Sequence, residues 1–209
     1  MALTLNGSTN TIAGVAVGGL PDGIVDTDML AANAVATAKI ADDAVTAAKA
    51  TGLGISEIDH WRVSAGWTGN ADPIASNWER CDTTPGLSKI GTGLTESSGL
   101  FSFPSTGIWQ IWIGFCWYAT DSQTYSAITI NATVDNWSSN NNRFELLGSG
   151  AQASNQHGFC FSSAIFDVTD IGNIKFRLRA ASGDGPDTEW RGDSSDSKNY
   201  LLAVKYAET

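Results

Sequence analysis

The aromatic residues of this 209-residue chain are confined to one part of it. Residues 1–54 contain no Trp, Tyr, Phe or Cys, whereas residues 55–209 hold all eight Trp, eight Phe, four Tyr and three Cys. Aromatic rings bury the most area per residue, so a segment without them rarely closes a core of its own. The sequence therefore reads as a core-forming region, 55–209, preceded by a region that needs partners.

The first region repeats itself every ten residues. Met29–Ala38 aligns with Lys39–Ala48: Leu30 matches Ile40, Ala34 matches Ala44 and Val35 matches Val45. With a weaker copy before them, larger apolar residues recur five apart at Leu20, Val25, Leu30, Val35, Ile40 and Val45. A five-residue step turns roughly 140° around an α-helix and so draws no single stripe. It fits neither a heptad nor an eleven-residue coil. Repeats of this kind become stable when neighbours or sister chains cover them, which makes 20–54 a thin, self-associated shaft. A flexible linker is the other reading of the same Ala-rich stretch. Residues 1–19, with a turn signal at Asn6-Gly7 between β-like runs, form a separate attachment segment.

Residues 55–209 alternate as strands do. From Trp109 to Tyr118 one face carries Trp109, Ile111, Ile113, Phe115 and Trp117, and the other Gln110, Trp112, Gly114, Cys116 and Tyr118. The first face belongs in a sandwich core. The second is too apolar for water, and Trp112 and Tyr118 mark it as a subunit interface. Shorter alternating runs cover Ala127–Val134, Ile174–Arg179 and Tyr200–Tyr206. Short strands between Gly-, Ser- and Asn-rich turns, without long helical patterns, predict an all-β sandwich or jelly roll.

Charge and motifs exclude more than they assign. A net charge of -10 repels phosphate backbones and anionic membranes, so no nucleic-acid partner is expected. No stretch has the length of a membrane span, and no basic-then-apolar leader follows Met1-Ala2-Leu3-Thr4, so neither membrane insertion nor secretion is expected. Cys81, Cys116 and Cys160 form no CxxC motif and read as buried, reduced core thiols. His157 and Cys160 are three apart, which on a strand directs them to opposite faces, so no nucleophile–base pair arises there. No catalytic residues are predicted, and no acid pair at glycosidase spacing is apparent. The acidic run Gly183–Asp196 is the sharpest candidate for binding. It reads as a long loop, residues 183–198, whose Trp190 either stacks on a ligand or packs beneath the loop, and whose Asp184, Asp187 and Asp193 supply acceptors. Several carboxylates in one loop also suit calcium, although a solvated acidic loop is the plainer reading and no other cofactor is expected.

Two resemblances extend this reading. Leu100-Phe101-Ser102-Phe103-Pro104-Ser105-Thr106-Gly107-Ile108-Trp109-Gln110-Ile111 resembles the signature of the complement-type globular head, which belongs with the tumour-necrosis-factor-like jelly rolls. Ser162–Arg179 and Tyr200–Tyr206 resemble that family's later strands, so the likeness covers roughly residues 61–206. It implies a jelly roll that trimerises around aromatic residues of its inner sheet, with calcium in apical loops of some members. No collagen-like stalk precedes it here. Leu3–Ser8, Val17–Gly23 and the Thr37–Asp42 repeat resemble marine bacteriophage fibre proteins. That likeness implies a homotrimeric virion fibre, attached to other virion proteins through its N-terminus and reaching a host-surface glycan or protein through its head. A head fibre or decoration protein without a receptor is the alternative, followed by a glycan-degrading spike enzyme.

Overall fold

Alternating burial along the two longest strands, 107–119 and 156–168, sorts their side chains into an interior and an outward face. The computed structural model describes residues 35, 40, 41, 44, 45, 54–122, 124–139, 154–183 and 187–209, and the strand backbones of 4–6, 11–13 and 142–148. The chain divides into two units, Met1–Thr51 and Gly52–Thr209. In the first, β1 (Thr4–Asn6) pairs antiparallel with β2 (Thr11–Ala13), Leu5 opposite Ile12. Most of the ten-residue repeat lies outside the described residues.

The named elements of the second unit are all strands. In chain order the strands are β3 (Glu57–Val63), β4 (Ala65–Thr68), β5 (Trp78–Arg80), β6 (Lys89–Ile90), β7 (Thr95–Ser97), β8 (Leu100–Ser102) and β9 (Gly107–Ala119). There follow β10 (Ser126–Thr133), β11 (Asn142–Gly148), β12 (Gln156–Val168), β13 (Lys175–Ser182), β14 (Thr188–Asp193) and β15 (Tyr200–Ala207). One sheet has five strands in the order β11-β10-β13-β8-β7. The other has eight, with β4-β14-β9-β15-β3-β5 as its path, β12 on β9 and β6 on β3. β9 organises the larger sheet. It pairs with β12 from Gly107–Val168 to Ala119–Gln156, and its other edge is shared between β15 and β14.

The core is aromatic. Phe101 stacks on Phe176 at 5.2 Å between ring centroids, Trp78 meets Phe101 edge-on at 5.1 Å, and Phe103 touches Trp109, Phe166 and Phe176. As expected, Trp109, Ile111, Ile113, Phe115 and Trp117 all face this interior. Gly158 supplies the room for Trp117, since a Cβ there would sit 2.3 Å from the indole.

The structure refines the reading of three segments. Val134 lies just past the end of β10 and is exposed, because the strand stops at Thr133. On β15 the core-facing residues are Leu201 and Ala203, so the run Tyr200, Leu202, Val204, Tyr206 faces outward. The segment 183–198 is not one loop, because β14 pairs with both β4 and β9 within it.

An ion pair closes one side of the core. Asp59 is fully buried and accepts hydrogen bonds from Trp61 Nε1 at 2.8 Å, the Leu94 backbone N–H at 2.6 Å and Arg80 Nε at 2.9 Å. Arg80 also lies 4.4 Å over the Trp61 ring. Asp59→Ala would strand two buried donors and the guanidinium, and should cost about 3–5 kcal/mol in denaturant unfolding. Asp59→Asn keeps an acceptor and should cost less. Equal melting of Asp59→Ala and the wild type would show that the pair contributes nothing.

Candidate functional site

The outward face of the larger sheet is built by the same alternation that fills the core. From β9 come Trp112, Cys116 and Tyr118, all half-buried, and from β12 come Phe159, Phe161 and Ile165, which are 55%, 47% and 64% exposed. The register sets Phe159 opposite Cys116 and Phe161 opposite Gly114. Trp112 stacks on Phe161 at 5.4 Å. Gly114 leaves space for the Tyr200 ring, whose atoms would lie 2.4 Å from a Cβ at that position. His60 of β3 meets Tyr200 edge-on at 5.8 Å, and burial lowers its pKa below the ordinary histidine value. The result is a largely apolar surface on β9 and β12, interrupted by the Gln110–Ser163 hydrogen bond, of the kind that marks an interaction site rather than a solvated face.

Trp112 stands within that surface, whereas Tyr118 belongs to its polar end. The Tyr118 hydroxyl bonds Asn155 Oδ1, its ring is 5.0 Å from that of His157, and the Arg191 guanidinium lies 5.1 Å over it. Arg191 is held by Glu189 at 2.6 Å. Beside these groups is a cavity of about 350 Å³, lined by Cys116, His157, Arg191 and Lys198. Cys116 thus departs from the expected core thiols, while Cys81 and Cys160 are buried. Burial pushes the Cys160 thiol up to about 12, and its side chain lies in the core while His157 is exposed.

The acidic segment does not come together as a ligand site. Asp184 lies outside the described residues. The Asp187 backbone carbonyl accepts from Thr120 N–H at 2.8 Å. Asp193 Oδ1 accepts from the Ser195 and Asp196 backbone N–H groups, and Oδ2 from the Lys198 ammonium. Its carboxylate is therefore committed within its own turn. Among the described residues, no three His, Cys, Asp or Glu side chains are grouped to hold a metal ion. The described part of the segment does not assemble the oxygen set that calcium takes.

Trp190 corrects the expectation of an exposed anchor. It is 0% exposed, stacked on Trp67 at 5.8 Å and 14°, and tilted against Trp117 at 5.6 Å. Its Nε1 donates to the Gly69 carbonyl at 3.0 Å. Alternation within β14 turns Thr188 and Trp190 inward and Glu189 and Arg191 outward. The ring therefore offers no surface to a ligand.

No protein-family model matches the sequence. No curated protein matches it either. Solved structures do share the fold. An Eiger TNF from S. frugiperda aligns with a TM-score of 0.55 at 14% identity, over 74% of this chain and 94% of that one. The second unit is a TNF-like jelly roll. Murine APRIL at pH 8.5 aligns with a TM-score of 0.47 at 15% identity, over 72% of this chain and 98% of that one. At such identities the likeness is one of fold. Within the jelly roll, sequence reasoning had singled out Trp112 and Tyr118 but missed Phe159, Phe161, Ile165 and the cavity. The alternation of Phe159, Phe161 and Ile165 with Cys160, Ala164 and Phe166 was the available signal.

Two outcomes follow from these placements. Trp190→Ala should remove about 3–5 kcal/mol of stability by opening a cavity between Trp67 and Trp117, measurable by denaturant unfolding. A nearly unchanged midpoint would contradict the core position. Lys198 and the two turn N–H groups draw the Asp193 carboxyl from 3.8 down to about 2. A depressed folded-state pKa contributes stability above the unfolded value that is lost as pH falls through the folded one. The carboxyl resonance of Asp193 should thus titrate near 2, and a midpoint near 4 would show the turn bonds to be absent.

Proposed function

We propose that this chain is a homotrimeric virion fibre or spike protein, whose jelly-roll head is displayed for attachment to a host-surface glycan or protein. The observation that carries the trimer is the apolar outward face around Trp112 and Phe161. Three copies related by a closed threefold axis would cover such faces without leaving an open end for further growth. Val35, Ile40 and Val45, five apart, are each exposed in the single chain, which favours sister chains along the shaft as well. The resemblance of 1–54 to phage fibre segments supports a virion role, with residues 1–19 joined to other virion proteins and 20–54 as the shaft. The reading is one of binding without catalysis. Cys160 is in the core and Asp193 is bound within its own turn, so neither is offered to a substrate.

Phe161→Glu would set a carboxylate at the contact, repeated by each sister chain and stranded on burial. Sedimentation velocity should show that variant as monomer or aggregate, and a wild-type-like profile would overturn the interface. Particles carrying fibres without residues 55–209 should lose adsorption to the host. Normal adsorption would favour the decoration protein that has no receptor. Gold-labelled antibody to the head should decorate intact particles, and unlabelled particles would contradict the virion role.

A further inference from the structure

The described residues that line the cavity beside Tyr118 include two cations. Cys116 comes from β9, His157 from β12, Arg191 from β14 and Lys198 from the segment between β14 and β15. Each carries a hydrogen-bond donor: a thiol, an imidazole N–H, a guanidinium and an ammonium. Among the described lining residues there is no carboxylate. Two acids hold these cations, Glu189 gripping Arg191 and Asp193 gripping Lys198. Each grip uses one hydrogen of a group with several, five N–H on arginine and three on the lysine ammonium. The cations are thereby oriented without being exhausted. Arg191 is fixed twice, by Glu189 at 2.6 Å and by the Tyr118 ring at 5.1 Å, which presets a planar fork suited to a carboxylate.

The thiol does not oppose an anion. Burial pushes the Cys116 thiol above its ordinary range, although Arg191 and Lys198 pull the other way, so it remains S–H at neutral pH. The volume, about 350 Å³, is at the small end of ligand pockets and suits one sugar ring or an organic acid of similar size. The Tyr118 ring packs against both Arg191 and His157 and so helps to position two of the lining groups.

We propose that this cavity binds a small carboxylate-bearing ligand, an acidic monosaccharide or an organic acid of that size. The site goes beyond the fibre reading and does not depend on it. The acid could be a free molecule or the terminal residue of an acidic polysaccharide, since both present the same group.

The test is a titration of the full chain with glucuronic acid, N-acetylneuraminic acid, glucose and N-acetylglucosamine, followed by calorimetry and by the His157 resonances. At least one acid should bind at least tenfold more tightly than the neutral sugars and shift His157. Raising the salt should weaken that binding. Arg191→Gln and Lys198→Gln should each lower affinity for the acid at least fivefold. Lys198 is exposed, so its variant keeps the fold even if Arg191→Gln does not. Lys89→Gln, an exposed cation on β6, should leave binding unchanged. An oligouronate that binds more tightly than its monomer supports a chain-borne acid, and equal binding supports a free one. No binding by either acid, equal binding of acidic and neutral sugars, or full affinity in Lys198→Gln would overturn the proposal.

Discussion

A strand that is apolar on both faces must be buried twice. β9 is such a strand: Trp109, Ile111, Ile113, Phe115 and Trp117 fill the interior, and Trp112, Cys116 and Tyr118 face the other way. The rest of the second unit is arranged around it. β12 lies along one edge for its full length, β15 and β14 share the other, and Asn199 Oδ1 accepts from the Cys116 N–H between them. The smaller sheet covers the inner face through Phe101, Phe176 and Leu178. Among the described residues, Phe159, Phe161 and Ile165 beside Trp112 on the outer face are left largely exposed. That asymmetry, one face closed by the fold and one left open, is the physical origin of the proposed assembly.

The inward half of this arrangement was legible in the sequence because a period of two leaves no choice once a strand is long. β9 has 13 residues, and its alternation named both faces correctly. Trp190 was not legible for the opposite reason. β14 has six residues between turn-rich flanks, too few to show a period among so many acids and glycines. Its burial also rests on partners far away in the chain, Trp67 in β4 and the Gly69 carbonyl, which no local pattern announces. Cys116 shows a subtler limit. It alternates with the core residues as expected, yet the cavity next to it depends on Arg191 and Lys198, which β14 and the following turn bring across the sheet.

These placements change where binding chemistry is found. The acidic run appeared as a source of acceptors, but Asp193 and Glu189 spend their charge on Lys198 and Arg191. The acids act as positioning groups, and the surface they help to build presents donors. A chain with a net charge of -10 thus carries two ion-paired cations beside a cavity at the polar end of the outer face. Assembly and ligand recognition, on this account, use neighbouring parts of one sheet.

The account stands on the outer face of the larger sheet being closed by two sister copies. Sedimentation equilibrium of the unmodified full chain at micromolar concentration tests this most directly. The predicted result is a single species of three times the chain mass of 22.0 kDa, with no monomer on dilution into the nanomolar range. A stable, soluble 22.0 kDa monomer across that range would contradict it.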